Sequence, residues 1–237
     1  MKIIAIGDSL ALPGHLNSYE QTWYYKLKLA FPTVDFNSVF RRAVTTAILV
    51  TEGGGDAGVD PVPLGADCLE FYKPHVVILQ LGIVDCAPRL FRRGGFESRV
   101  LSHLPAKLRK LYITFVRKTR RRDESRAYVP ADVFERNIRA YLVRCKNQKV
   151  RRIIIIGIPY PDERMILSSP RIADSVELYN SIFVRVSHEF GNVDVVFPLD
   201  ARKWKQGIFE DGYHPNRFGH QLVFRSVASK LRDVKTN

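Results

Sequence analysis

The chain has 237 residues, 46% of them hydrophobic and 26% charged, with 37 Lys and Arg against 24 Asp and Glu for a formal net charge of +13. That length and balance suit one α/β domain spanning residues 1–237 and exclude a chain disordered throughout, while the excess of cations biases the surface toward phosphates, anionic sugars or acidic lipid headgroups. Cys68, Cys86 and Cys145 are odd in number and match neither a disulfide framework nor paired metal ligands, which points to a reducing cytoplasm.

The first apolar run, Lys2 to Ile6, reads as a buried parallel strand and is too short before Gly7-Asp8 to serve as a signal peptide. No later run approaches membrane-spanning length, so a soluble protein is expected, held at most peripherally at a membrane by its basic surface. Helical periodicity covers Glu20 to Ala30, and a weaker strand follows from Val34 to Phe40. The stretch Glu52 to Pro63, with Gly53-Gly54-Gly55, reads as a mobile loop. A short helix over Ala66 to Tyr72 then leads into a strand at His75 to Leu81.

Pro88 to Arg126 has the look of a basic insertion, with a helical stretch from Leu101 to Val116 that ends in Arg117-Lys118-Thr119-Arg120-Arg121-Arg122. Beyond it, helix alternates with strand: Ala131 to Asn147, strand Arg152 to Ile158, Ser175 to Phe190, strand Val193 to Phe197, and a closing helix from Arg217 to Leu231. Such alternation predicts a five-stranded parallel sheet covered by helices on both faces, because each parallel strand needs a crossover. The functional crevice of such a sheet lies beyond the carboxyl ends of its strands.

Two segments at those ends carry chemistry. Gly7-Asp8-Ser9-Leu10 begins where the first strand stops, which places a serine in a turn at the mouth of the crevice. Taken alone, the motif is a weak signal, because an isolated Gly-Asp-Ser is much more commonly a turn whose serine caps a helix. Asp211-Gly212-Tyr213-His214 follows the last strand, and an acid and a histidine on one loop are what an attacking hydroxyl needs. The histidine removes the proton, and the carboxylate fixes its tautomer and steadies its charge.

These residues resemble the GDSL/SGNH hydrolase family, whose first block is matched by Gly7 to Leu10 and whose last, Asp-x-x-His, is matched by Asp211 to His214. Gln80-Leu81-Gly82-Ile83-Val84-Asp85 takes the place of the family's Gly-x-Asn-Asp block. The resemblance implies a flavodoxin-like three-layer fold and a serine-dependent ester hydrolase or acyltransferase that needs no metal and no cofactor, with Ser9, Asp211 and His214 catalytic. Its breadth leaves open a small-molecule or carbohydrate ester as substrate, including O-acetyl groups of a polysaccharide precursor and anionic compounds.

The departures concern the oxyanion site. Val84 stands where the family places an asparagine, and its side chain cannot donate a hydrogen bond. The second block has no glycine in Arg41-Arg42-Ala43-Val44-Thr45-Thr46, and Ala43 aligns there, keeping a backbone N–H provided that no positive φ is required. The oxyanion and substrate-binding set on this reading is Ser9, Ala43, Gly82 and Arg89. For Arg89 three readings stay open: it replaces lost electrostatic stabilisation, binds a substrate carboxylate or phosphate, or is a solvated arginine.

Cys86 has no dedicated base and is not the nucleophile. Asp8 and Asp85 read as structural acids that bond turn backbone or neighbouring loops. His15, His75, His103, His188 and His220 show no metal-ligand spacing. The cluster Arg117 to Arg122, with Arg92, Arg93, Lys107, Arg109 and Lys110, has no nucleic-acid motif beside it, so a solvated face is the default and a funnel for an anionic ligand the sharper reading. The loss of the asparagine donor also motivates a second function class, a catalytically weakened module that binds an anionic glycan or glycolipid.

Overall fold

The computed structural model describes residues 1–50, 67–89, 91, 96–120 and 127–235. The glycine-rich stretch Glu52 to Pro63 lies outside them, as do Arg92, Arg93, Arg121 and Arg122 of the basic insertion. Five strands form one sheet: β1 (Lys2–Gly7), β2 (Asp35–Phe40), β3 (Val76–Gln80), β4 (Arg152–Ile156) and β5 (Val193–Val196). Their order is β2-β1-β3-β4-β5, and every pairing is parallel, with Ile4 beside Asn37 on one flank and Val77 on the other. This is the flavodoxin-like strand order.

Helices follow in chain order as α1 (Trp23–Ala30), α2 (Leu69–Tyr72), α3 (Ile83–Cys86), α4 (Phe96–His103), α5 (Ala106–Arg120), α6 (Ala131–Asn147), α7 (Glu163–Ser168), α8 (Ile172–Ser187) and α9 (Arg217–Lys235). The pleat of the strands sorts the core into two layers. Ile4, Ile6, Val77, Leu79, Ile153 and Ile155 face Phe134, Ile138 and Tyr141 of α6 and Val176 and Phe183 of α8. Ile3, Ala5, Val76, Ile78, Ile154 and Ile156 face Trp23 and Leu27 of α1 and Val223, Val227 and Leu231 of α9. Both faces of β1, β3 and β4 are therefore dry, which explains their unbroken apolar runs.

The helices depart from the sequence pattern where a local group interrupts it. Glu20 to Ala30 is not one helix: Tyr19–Gln21 forms a 3-10 turn, Thr22 is extended, and its hydroxyl caps α1 by accepting the Tyr25 N–H. Leu101 to Val116 likewise falls into two helices, α4 and α5, on either side of Leu104-Pro105. Proline has no N–H to donate into a continuing helix, so the chain restarts there. Lys107, Arg109 and Lys110 of α5 are exposed to solvent. Among the described residues no helix is long and apolar enough to cross a membrane.

Candidate active site

Ser9 opens a 3-10 turn directly after β1. Asp8 shapes that turn, its Oδ1 accepting the Leu10 N–H at 2.9 Å, and Gly7 leaves the room the turn needs. A Cβ at Gly7 would stand 3.0 Å from the Ala11 Cβ and 3.1 Å from the Phe40 ring. The serine hydroxyl is thereby held at the carboxyl edge of the sheet.

The loop before α9 brings the histidine to it. Ser9 Oγ lies 2.9 Å from His214 Nε2, although 205 positions separate the two residues. On the far side of the ring, His214 Nδ1 lies 2.7 Å from Asp211 Oδ2, and the His214 backbone N–H donates to Asp211 Oδ1 at 3.0 Å. A carboxylate at that distance keeps the ring proton on Nδ1 and leaves the Nε2 lone pair facing the serine hydroxyl. Burial pulls Asp211 upward, but its bonds to the His214 backbone and ring outweigh this and hold its carboxyl below the usual range.

Several contacts fix the histidine loop. The Glu210 N–H donates to the His214 carbonyl at 2.9 Å, and Asn216 Oδ1 accepts the N–H groups of Phe218 and Gly219 at the start of α9. Gly212 has φ +111°, and its carbonyl accepts the Asp162 N–H at 3.0 Å. A Cβ there would stand 2.8 Å from the Met165 Cβ. The Tyr213 ring packs beside the imidazole, with centroids 4.3 Å apart.

Glu210 is a site residue that the sequence pattern does not single out. Its carboxylate accepts the His15 N–H at 3.0 Å and also takes the Asn17 side-chain amide. It thus ties the loop beyond Ser9 to the loop that carries His214. Its partners lie up to 195 positions away, so no local spacing announces them.

Ser9 and His214 open into a cavity of about 440 Å³. Val84, Ala87 and Arg89 form one wall, Met165, Ser168 and Ser169 another, and Arg42 and Ala43 complete the rim. Val84 is 4% exposed and brings methyl groups, not an amide donor, to the cavity wall. Ala43 has φ +58°, so the condition attached to it fails: this residue occupies the left-handed region that glycine enters without strain. Gly82 does not line the cavity. With φ +120° and a hypothetical Cβ 2.7 Å from Ile158, it is a tight turn that starts α3.

Behind this wall lie two buried acids. Asp85 Oδ1 accepts the Thr46 N–H at 2.9 Å and the Thr46 hydroxyl at 2.6 Å, which draws the segment after β2 against α3. Burial raises Asp85 to about 6 and Asp8 to about 8, with the charge of Asp85 adding to the shift at Asp8. Cys86 is fully buried, and burial pushes its thiol far upward, consistent with a packing role. Arg89 lays its guanidinium over the Tyr128 ring, 4.7 Å from the centroid.

No protein-family model matches the chain, and no curated protein matches it. Solved structures do. A psychrotrophic esterase from Pseudoalteromonas sp. is 16% identical, with a TM-score of 0.60 over 100% of this chain and 99% of that one. A lipolytic protein of the G-D-S-L family from Desulfitobacterium hafniense is 16% identical, with a TM-score of 0.59 over 96% and 98%. A catalytic mutant of an acetylxylan esterase from Geobacillus stearothermophilus is 16% identical, with a TM-score of 0.58 over 95% and 91%. The chain therefore shares its fold, over nearly its whole length, with structures of the GDSL/SGNH type.

Proposed function

We propose that this chain, built on the fold of the GDSL/SGNH esterases, is a serine-dependent ester hydrolase or acyltransferase. The observation that carries the proposal is the unbroken line from Ser9 Oγ through the His214 ring to Asp211, with distances of 2.9 and 2.7 Å. His214 Nε2 takes the hydroxyl proton while Ser9 Oγ bonds to the ester carbonyl carbon. The bond to the alcohol oxygen breaks as His214 returns that proton to it, leaving an acyl-serine. Water then attacks, His214 takes its proton, and Ser9 Oγ leaves with it as the acid is released. A sugar hydroxyl in place of water makes the same steps a transfer. The fold shared with an acetylxylan esterase supports O-acetyl groups on a carbohydrate, including a polysaccharide precursor, as the first substrates to try.

A fluorophosphonate probe tests this reading directly. A single adduct on Ser9, lost in His214→Ala, is the expected result. Intact protein that acquires no adduct under conditions that label a control serine esterase would refute it.

Val84 favours a second reading, that of a binding module for an anionic glycan or glycolipid with catalysis reduced. A missing oxyanion donor costs about a hundred to a thousandfold in turnover. Tight glycan binding with no ester turnover would select this reading.

A further inference from the structure

We infer that Arg89 is an anion-recognising residue of the Ser9 cavity, and that the substrate carries a carboxylate or phosphate within reach of its guanidinium. The inference rests on the serine-hydrolase reading and adds the substrate class to it.

Arg144 meets Asp67 and Glu70, Arg139 meets Glu135 and Glu189, Arg152 meets Asp194, and Arg202 meets Asp200 and Glu177. Arg89 is partly buried like Arg139, Arg144 and Arg152, yet it forms no ion pair with any described carboxylate, and its buried Nε has no hydrogen-bond partner. The nearby Asp85 feels the Arg89 charge but does not come within ion-pair distance of it, and its Oδ1 is engaged by Thr46. A cation drawn out of water without a counter-ion is costly, and a ligand anion removes that cost.

The cavity is suited to supplying such an anion. Among the described residues, none that lines it is acidic, and a second guanidinium, that of Arg42, stands on its rim and donates to the Pro13 carbonyl at 3.3 Å. The Tyr128 ring lies against the Arg89 guanidinium, 4.7 Å from centroid to Cζ, and the guanidinium fork suits paired hydrogen bonds to a carboxylate or phosphate. The formal charge of +13 draws such substrates toward the surface. A competing role, stabilising the oxyanion in place of an asparagine, would act on every ester alike.

The test compares p-nitrophenyl acetate with mono-p-nitrophenyl succinate, which adds one carboxylate to a similar acyl group. The readout is the ratio of kcat/KM for the charged ester to that for the neutral one. Arg89→Met is expected to lower this ratio about tenfold or more, and Arg89→Lys by less. A loss shared equally by both esters overturns the inference and assigns Arg89 to the oxyanion. Inorganic phosphate supplies a readout independent of turnover. At constant ionic strength it is expected to raise the Tm of the wild type and not that of Arg89→Met, and equal shifts overturn the inference. If neither ester is hydrolysed, the serine reading fails by itself, while the phosphate experiment still decides whether Arg89 binds anions. Inhibition of the neutral ester by succinate and by phosphate, measured separately, tells which anion fits.

Discussion

Asp211 meets His214 twice from three positions away, with one carboxylate oxygen 3.0 Å from the backbone N–H and the other 2.7 Å from Nδ1. The first contact sets the loop and the second sets the tautomer, so Asp211→Asn keeps an acceptor for the backbone while weakening control of the ring proton. Hydrolysis of p-nitrophenyl acetate is expected to fall on the order of a hundredfold in Asp211→Asn, with water beside this half-exposed carboxylate limiting the loss. Ser9→Ala is expected to fall to the uncatalysed background. Steady-state kinetics on both variants check this, and an Asp211→Asn enzyme as fast as wild type would sink the role given to the carboxylate.

Val84→Asn places an amide in the wall of the cavity that Ser9 also lines. If the valine removes an oxyanion donor, kcat rises about tenfold to a hundredfold. Thermal unfolding run beside the kinetics shows whether the buried amide finds its partner, since an unsatisfied one costs about 1–3 kcal/mol. A correctly folded variant with unchanged kcat would show that this position does not face the developing charge.

Ala43→Gly relieves a left-handed backbone. An L-residue there costs about 1–2 kcal/mol, and glycine returns about 0.4–1 kcal/mol of that by loosening the unfolded chain. A net stabilisation of about 1 kcal/mol or less is expected in urea unfolding, with Ala43→Val destabilised. A glycine variant less stable than wild type would contradict the strain argument.

Asp8 sets a pH dependence. Its carboxyl is held protonated to about 8 by burial, whereas in the unfolded chain it releases its proton near its ordinary value of 3.8. Between these values the folded state binds more protons, so this group's contribution to stability is complete at low pH and is lost as pH rises toward 8. Asp8→Asn retains an acceptor for the Leu10 N–H and removes the titration, so its stability relative to wild type improves from about pH 5 to about pH 8. Parallel wild-type and variant stabilities across that range would show that Asp8 is not held neutral.

The strands, and the meeting of Ser9, His214 and Asp211 at one edge of the sheet, were legible from local patterns. Strands dry on both faces must be written as apolar runs, the turn that ends β1 carries the small and polar Gly7 and Ser9, and Asp211 and His214 stand three positions apart on one loop. Contacts across long sequence distances were not legible. Nothing near Glu210 announces His15 and Asn17 as its partners, and the cavity wall at Met165, Ser168 and Ser169 lies on and just after a short helix with no marked periodicity. The helices break at Thr22 and Pro105, yet the apolar periodicity around each reads as one continuous helix. The positive φ of Ala43 has no residue signature, because alanine ordinarily marks a helix.

Gly212 joins two parts of the molecule that would otherwise vary separately. Its carbonyl and its missing side chain let the histidine loop lie directly on the start of α7, the helix whose Met165 and Ser168 bound the cavity. Any larger residue at 212 would act as a spacer, shifting the imidazole and widening the opening in one movement. Enlarging the opening for a bulkier acyl group would therefore have to begin at Met165 or Ser168, because at 212 breadth and proton-transfer alignment trade against each other.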